Sequence, residues 1–223
     1  MTPAPPERPD THPTTLLLVR HGETVGNSRE RYFGRTDLEL SALGRAQMAA
    51  TRAWIASRFP GRPLRPVFAS PMRRARTSAA IIAPDTPMAE IQPFVEVDFG
   101  GFEGLTAEEI KARFPAEFAR WRRDPLDPAF TYPGGETRAA FAARVGVGIK
   151  AMLEVLDRAS AGPDRPIALL VAHRGVIRIV TETFADVSPT IELGSIQALE
   201  RTSPVDRWRA TIIDQTEHLR ASG

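Results

Sequence analysis

The sequence predicts an α/β fold built on a largely parallel sheet. Three observations carry that expectation. Short apolar runs recur along the chain, clearest at residues 14–19 (TTLLLV) and 166–172 (PIALLVA). These runs are almost unbroken rather than alternating, as in strands covered on both faces. Longer segments between them repeat their apolar residues at helical spacing, so strands alternate with helices.

Taken in order, residues 1–13 form a proline-rich leader without the apolar core of a signal peptide, and are expected to be flexible. The first strand follows at 14–19, then a polar, glycine-containing loop to about residue 40. Ser41 can cap a helix reaching Phe59, with Leu43, Met48 and Ile55 among its apolar positions, and Pro60-Gly61 ends it. A second strand is expected at 66–70. Ser70-Pro71 then reads as a helix start, serine as cap and proline in the first turn, with the helix running to about Ala83.

Thr106 and Glu109 have capping-box spacing and open a helix through Phe114. Residues 104–135 look like an insertion of short helix and loop. A long helix is predicted over 138–158, where Phe141, Val145, Ile149, Met152 and Leu156 recur. The strand at 166–172 and a helix at 176–185 follow. Weaker strands fall around 196–199 and 208–213, and 215–223 is expected to be a flexible tail. This makes 14–214 a single domain, without internal repeats.

Composition narrows the function. With 42% hydrophobic and 25% charged residues, the chain can build an ordinary soluble core. The absence of cysteine excludes disulfides, thiolate metal sites and a thiol nucleophile, and points to a reducing, cytoplasmic setting. An isoelectric point near 9.5 suggests nucleic acid, but the net charge is only +2. Acids interleave with the arginines, and Lys111 and Lys150 are the only lysines, so no basic stripe forms and nucleic acid is not an expected partner. No run has the length of a membrane span.

In open α/β sheets ligands bind beyond the carboxyl ends of the strands. His21 and His173 each follow one of the two most apolar strands, which places both on that edge. The other histidines, His12 and His218, lie near the termini. In "RHGET", Arg20 offers a donor fork for phosphate oxygens, His21 a nucleophilic nitrogen, and Gly22 close backbone approach. Thr24 and Asn27 add neutral polar groups. In "SPMRRARTSA", Arg74 falls in the first turn of a helix, itself an anion site. "EVDFGGFEG" contributes Glu96, and "VAHRG" contributes His173.

Several neighbours have plainer readings. Arg73 and Arg76 suit a solvated helix face, and Glu23 suits an ion pair. Glu103 rivals Glu96 as the acid but is better read as a partner for backbone or arginine. "YPGGET" lacks the lysine of a nucleotide loop and puts Glu136 near the site. Trp121, Arg122, Arg123, Phe130 and Tyr132 of the insertion fit core packing and a substrate-selecting wall equally well.

These motifs, in this order from about Leu16 to Ile213, resemble the histidine phosphatase superfamily, the phosphoglycerate mutase-like group. The resemblance implies a three-layer sandwich, a mostly parallel central sheet flanked by helices. It implies a metal-independent phosphomonoester hydrolase that forms a phosphohistidine on a small phosphorylated metabolite, with no cofactor. His21 then resembles the phosphorylated histidine and Glu96 the proton donor. Arg20, Arg74 and a cationic His173 resemble the phosphate cradle, with Asn27 assisting. The insertion is similar to that of the α-ribazole phosphatase branch, and also to broad-specificity and sugar-phosphate relatives. A phosphoglycerate mutase and a catalytically silent phospho-ligand-binding scaffold are the alternatives; the short stretch from Gly104 to Gly134 argues against the first, the retained nucleophile and acid against the second. The resemblance also admits a homodimer. Arg174 departs from the small residue that relatives often carry after the second histidine.

Overall fold

The computed structural model describes residues 13–125, 127–159 and 167–222. The expected leader, apart from Pro13, lies outside them, as does Pro166 at the start of the strand predicted over 166–172.

Six strands form one sheet in the order β3-β2-β4-β1-β5-β6. They are β1 (Thr14–Arg20), β2 (Leu64–Ala69), β3 (Met88–Glu90), β4 (Ile167–Ala172), β5 (Ile196–Arg201) and β6 (Arg209–Gln215). The pairings β2–β3, β2–β4 and β1–β4 are parallel; β5 runs antiparallel to β1, and β6 to β5. The sheet is therefore mostly parallel with an antiparallel edge, in keeping with the expectation. β3 is only three residues long and carries no apolar run, so the pattern gave no sign of it.

The described residues form six α-helices, α1 (Ala42–Arg58), α2 (Arg73–Ile82), α3 (Ala107–Arg113), α4 (Pro115–Arg123), α5 (Arg138–Ala159) and α6 (Arg174–Ala185), of which α1, α2, α5 and α6 cover the sheet. Alternation along β1 divides the core. Leu16 and Leu18 face Phe141, Val145, Ile149 and Met152 of α5 and Val176, Ile177 and Val180 of α6. Leu17 and Val19 face Met48 and Ile55 of α1 and Ala75, Ala79 and Ile82 of α2. Helices on both faces make this a three-layer sandwich, and they explain why β4 is apolar at every position and β1 from Leu16 to Val19.

Local signals are honoured with one shift. Ser41 caps α1 by accepting from Gly44 N at 3.0 Å, and Thr106 with Glu109 completes the capping box of α3. α2, however, starts at Arg73 with Met72 as its cap, two residues later than Ser70-Pro71 indicated. The reason is that Ser70 Oγ lies 2.7 Å from His173 Nε2, so the serine serves the neighbouring strand end instead. Nor is the segment after β6 a loose tail. Residues Glu217–Ser222 form a 3-10 helix against α1, where His218 Nε2 lies 3.1 Å from Thr51 Oγ1 and its ring stacks at a tilt on Trp54. Among the described residues no helix is long and apolar enough to cross a membrane.

Candidate active site

Parallel pairing of β1 with β4 sets Arg20 opposite Ala172, so the residues that follow, His21 and His173, emerge side by side. His21 N donates to Ala172 O at 3.1 Å, and the two imidazole centroids are 5.2 Å apart at 63°. The strand-end juxtaposition expected from sequence is thus present.

Their hydrogen bonds define their protonation. His21 Nδ1 lies 2.8 Å from Gly22 O; a carbonyl only accepts, so Nδ1 carries the proton and Nε2 keeps its lone pair. His173 Nδ1 receives the Nε–H of Arg74 at 3.3 Å; a guanidinium only donates, so this nitrogen is bare and Nε2–H donates to Ser70 Oγ. Both rings are neutral. Burial, reinforced by the charges of Arg74 and Arg20, holds both pKa values well below 6.5. A cationic His173 is therefore corrected. His173 also has no exposed surface and stands behind the cavity wall, with both nitrogens occupied.

Arg74 is 1% exposed and spends its donors on one loop. Nη1 donates to Thr36 O at 2.7 Å, and Nη2 to Gly34 O at 2.8 Å and Phe33 O at 3.4 Å. From the other side Glu103 accepts from the backbone N–H groups of Gly34, Arg35 and Thr36 and from the Thr36 hydroxyl. The loop is stretched between a cation and an anion. Only glycine fits at position 34, where a Cβ would sit 1.9 Å from Val97 O. Glu103 is thus a structural ligand, as its plainer reading held.

Glu96 is 6% exposed. Its Oε1 accepts from Val97 N at 3.0 Å and its Oε2 from Gly175 N, in the first turn of α6, at 3.1 Å. Arg144 of α5 fixes the chain around it, donating to the carbonyls of Pro93 (2.8 Å), Val95 (2.6 Å) and Glu96 (3.0 Å). Glu136 of "YPGGET" grips Arg144 in turn at 2.9 Å. Sequence reasoning put Glu136 near the site but passed over Arg144, whose partners are backbone carbonyls that no side-chain pattern reports.

Arg20 donates from Nη1 to Ile191 O at 2.9 Å, while its Nε is buried without a partner. Burial lowers its pKa to about 10, partly offset by Glu96. Arg20, His21, Arg74 and Glu96 line one cavity of about 1130 Å³. Its wall also holds Arg174 and Arg178 of α6, and Trp121, Arg122 and Tyr132 of the insertion. Phe130 is buried in the core beside Tyr132 and Arg123 is not part of the wall, so the insertion supplies both packing and lining.

Asn27 is not brought to this cavity. Its backbone is left-handed (φ 62°), which turns the exposed amide to Glu30 Oε2 at 2.8 Å. Glu23 forms the ion pair anticipated for it, with Arg29 at 2.6 Å.

The profile of the histidine phosphatase superfamily (branch 1) matches residues 16–211. A bifunctional protein of Mycobacterium tuberculosis is 33% identical over 178 residues, 78% of this chain and 45% of that protein, so the chain spans about half the length of this relative. Glucosyl-3-phosphoglycerate phosphatase of Mycolicibacterium vanbaalenii is 29% identical over 218 residues, 93% of this chain and 86% of the relative. The native structure of a mycobacterial glucosyl-3-phosphoglycerate phosphatase superposes with a TM-score of 0.74 at 26% identity, covering 92% of this chain and 100% of that one. The chain belongs to branch 1 of the histidine phosphatase superfamily.

Proposed function

We propose that this protein hydrolyses a small phosphomonoester, metal-independently, through a phosphohistidine on His21. One observation carries the reading. At the wall of a cationic cavity, His21 has Nδ1–H tied to a carbonyl, and among the described residues nothing engages its Nε2 lone pair. An imidazole so held is a preformed nucleophile. That a relative spanning most of this chain is named a phosphatase agrees with it.

In the first step His21 Nε2 bonds to phosphorus as the ester P–O bond breaks, and Glu96 gives the leaving alkoxide its proton. In the second, Glu96 takes a proton from water, whose oxygen attacks phosphorus and releases His21. Arg20 and the remaining N–H of Arg74 offset charge on the equatorial oxygens; phosphoryl transfer depends mainly on such positioning and charge compensation. A neutral His173 supports the site indirectly, through its bond to Arg74.

The test is hydrolysis of p-nitrophenyl phosphate in the presence of EDTA. His21→Ala should lose activity by roughly a thousandfold or more, and acid-labile phosphate should label the wild-type chain only. Equal rates in the two proteins would end the phosphohistidine reading. Phosphate release measured beside 3- to 2-phosphoglycerate interconversion separates a phosphatase from a mutase.

A further inference from the structure

The cavity contains cations that the reaction does not use. Arg174 opens α6, and Arg178 follows one turn later on the same side of the helix; both line the cavity. Several other arginines are paired with carboxylates: Arg29 with Glu23, Arg31 with Glu109, Arg144 with Glu136. Among the described residues neither Arg174 nor Arg178 has a hydrogen bond or ion pair, and the Nε of Arg178 is buried without an acceptor. Arg174 also lies close enough to repel Arg20. Like charges one turn apart cost a helix a few tenths of a kcal/mol, about 0.2–0.5, and a desolvated, unsatisfied guanidinium N–H costs more. Such an arrangement is relieved when an anion enters.

Its position says which anion. Gly175, between the two arginines, donates the backbone N–H that holds Glu96. In the proposed reaction Glu96 faces the leaving oxygen, so a group drawn to Arg174 and Arg178 belongs to the alcohol half of the substrate rather than to the phosphoryl group in transfer.

We infer that Arg174 and Arg178 form a second anion subsite, and that the substrate is a phosphomonoester whose alcohol portion bears a further carboxylate or phosphoryl group. This rests on the phosphatase reading for the orientation of the substrate. The arginine pair selects such compounds over neutral sugar or polyol phosphates.

The experiment measures binding without turnover, by calorimetry on the H21A protein, whatever its outcome in catalysis. Two pairs of probes are compared: 3-phosphoglycerate with glycerol 3-phosphate, and fructose 1,6-bisphosphate with fructose 6-phosphate. A charge-assisted contact predicts that the doubly anionic member of at least one pair binds roughly tenfold to a hundredfold tighter. Which pair shows it tells carboxylate from phosphoryl. Adding R174Q and R178Q should bring the two members of that pair close to parity. The inference is overturned if neither pair shows a preference, if the preference survives R174Q/R178Q, or if R122Q, on another part of the wall, removes it equally, since the last result would mean only a general cationic field. Failure of the wild-type protein to release phosphate would count against the phosphatase reading instead, leaving these affinities to be judged by themselves.

Discussion

Arg144 joins segments that are far apart in sequence: it grips Glu136 with one edge of its guanidinium and the carbonyls of Pro93, Val95 and Glu96 with the other. Its role is to position Glu96, not to touch substrate. Removing it should loosen the acid without emptying the cavity. Because a misplacement of about 1 Å can cost roughly a hundredfold in rate, Arg144→Ala should lower kcat by that order while KM stays within a few fold. The freed carbonyls should also cost about 1–3 kcal/mol of stability. Arg144→Lys, which keeps the charge but not the planar fork, should recover the stability only partly and the rate hardly at all. A KM change larger than the kcat change would show that Arg144 contacts substrate after all. Arg74 makes the same point. Of its five N–H groups four are committed to His173 and the 33–36 loop, so its geometry serves the fold, and in the proposed reaction one N–H and its charge are left for the phosphate.

At the scale of elements, the first turn of α6 carries the burden. Gly175 lies where a Cβ would meet Glu96 Oε1 at 2.6 Å and Phe141 at 2.8 Å. Alanine improves helix propensity by about 0.8–1.0 kcal/mol relative to glycine, so Gly175→Ala should separate two properties that usually fall together. The unfolding temperature should move little, whereas kcat should drop by about tenfold or more as Glu96 is pushed aside. Parallel kinetics and thermal unfolding check this; an unaffected kcat would mean that Glu96 has room to spare. Most of these elements could be read in the sequence because burial on both faces demands unbroken apolar strands, and because Ser41 and Thr106 announce their helices by local hydrogen bonding. What could not be read depended on partners across the fold. Ser70 looks like a cap until His173 takes its hydroxyl, Asn27 looks like a ligand until a left-handed backbone turns it to Glu30, and β3 exists only because β2 offers an edge. Around the cavity, Arg20, His21 and Arg74 could be anticipated at a strand end and a helix start, and Glu96 before a glycine-rich stretch. The neutrality of His173 was not, since it follows from which atom of Arg74 reaches it.

For the molecule as a whole, the two buried neutral imidazoles link folding to pH. In the unfolded chain each titrates near 6.5, while in the fold each is held well below that value. The unfolded state therefore binds more protons below pH 6.5. The stability gained from keeping both rings neutral is complete above that pH and is lost as pH falls through 6.5 toward the folded values. The loss approaches about 1.4 kcal/mol per pH unit for each histidine. Denaturant midpoints should fall from pH 7.5 to 5.5, before the carboxylates titrate, and His173→Asn should reduce the slope by about half. A midpoint that stays level across this range would contradict the assignment.

The order of the strands has one more consequence, for synthesis. β1 leads directly into His21, the proposed nucleophile, yet lies between β4 and β5, which the chain supplies only after residue 166. A ribosome therefore exposes His21 early and for most of translation leaves it without Ala172 to anchor it or Arg74's partner His173 to order its surroundings. On the proposed mechanism, chains that end before β4 should be inert towards phosphate esters, and activity should require the middle of the sheet to close.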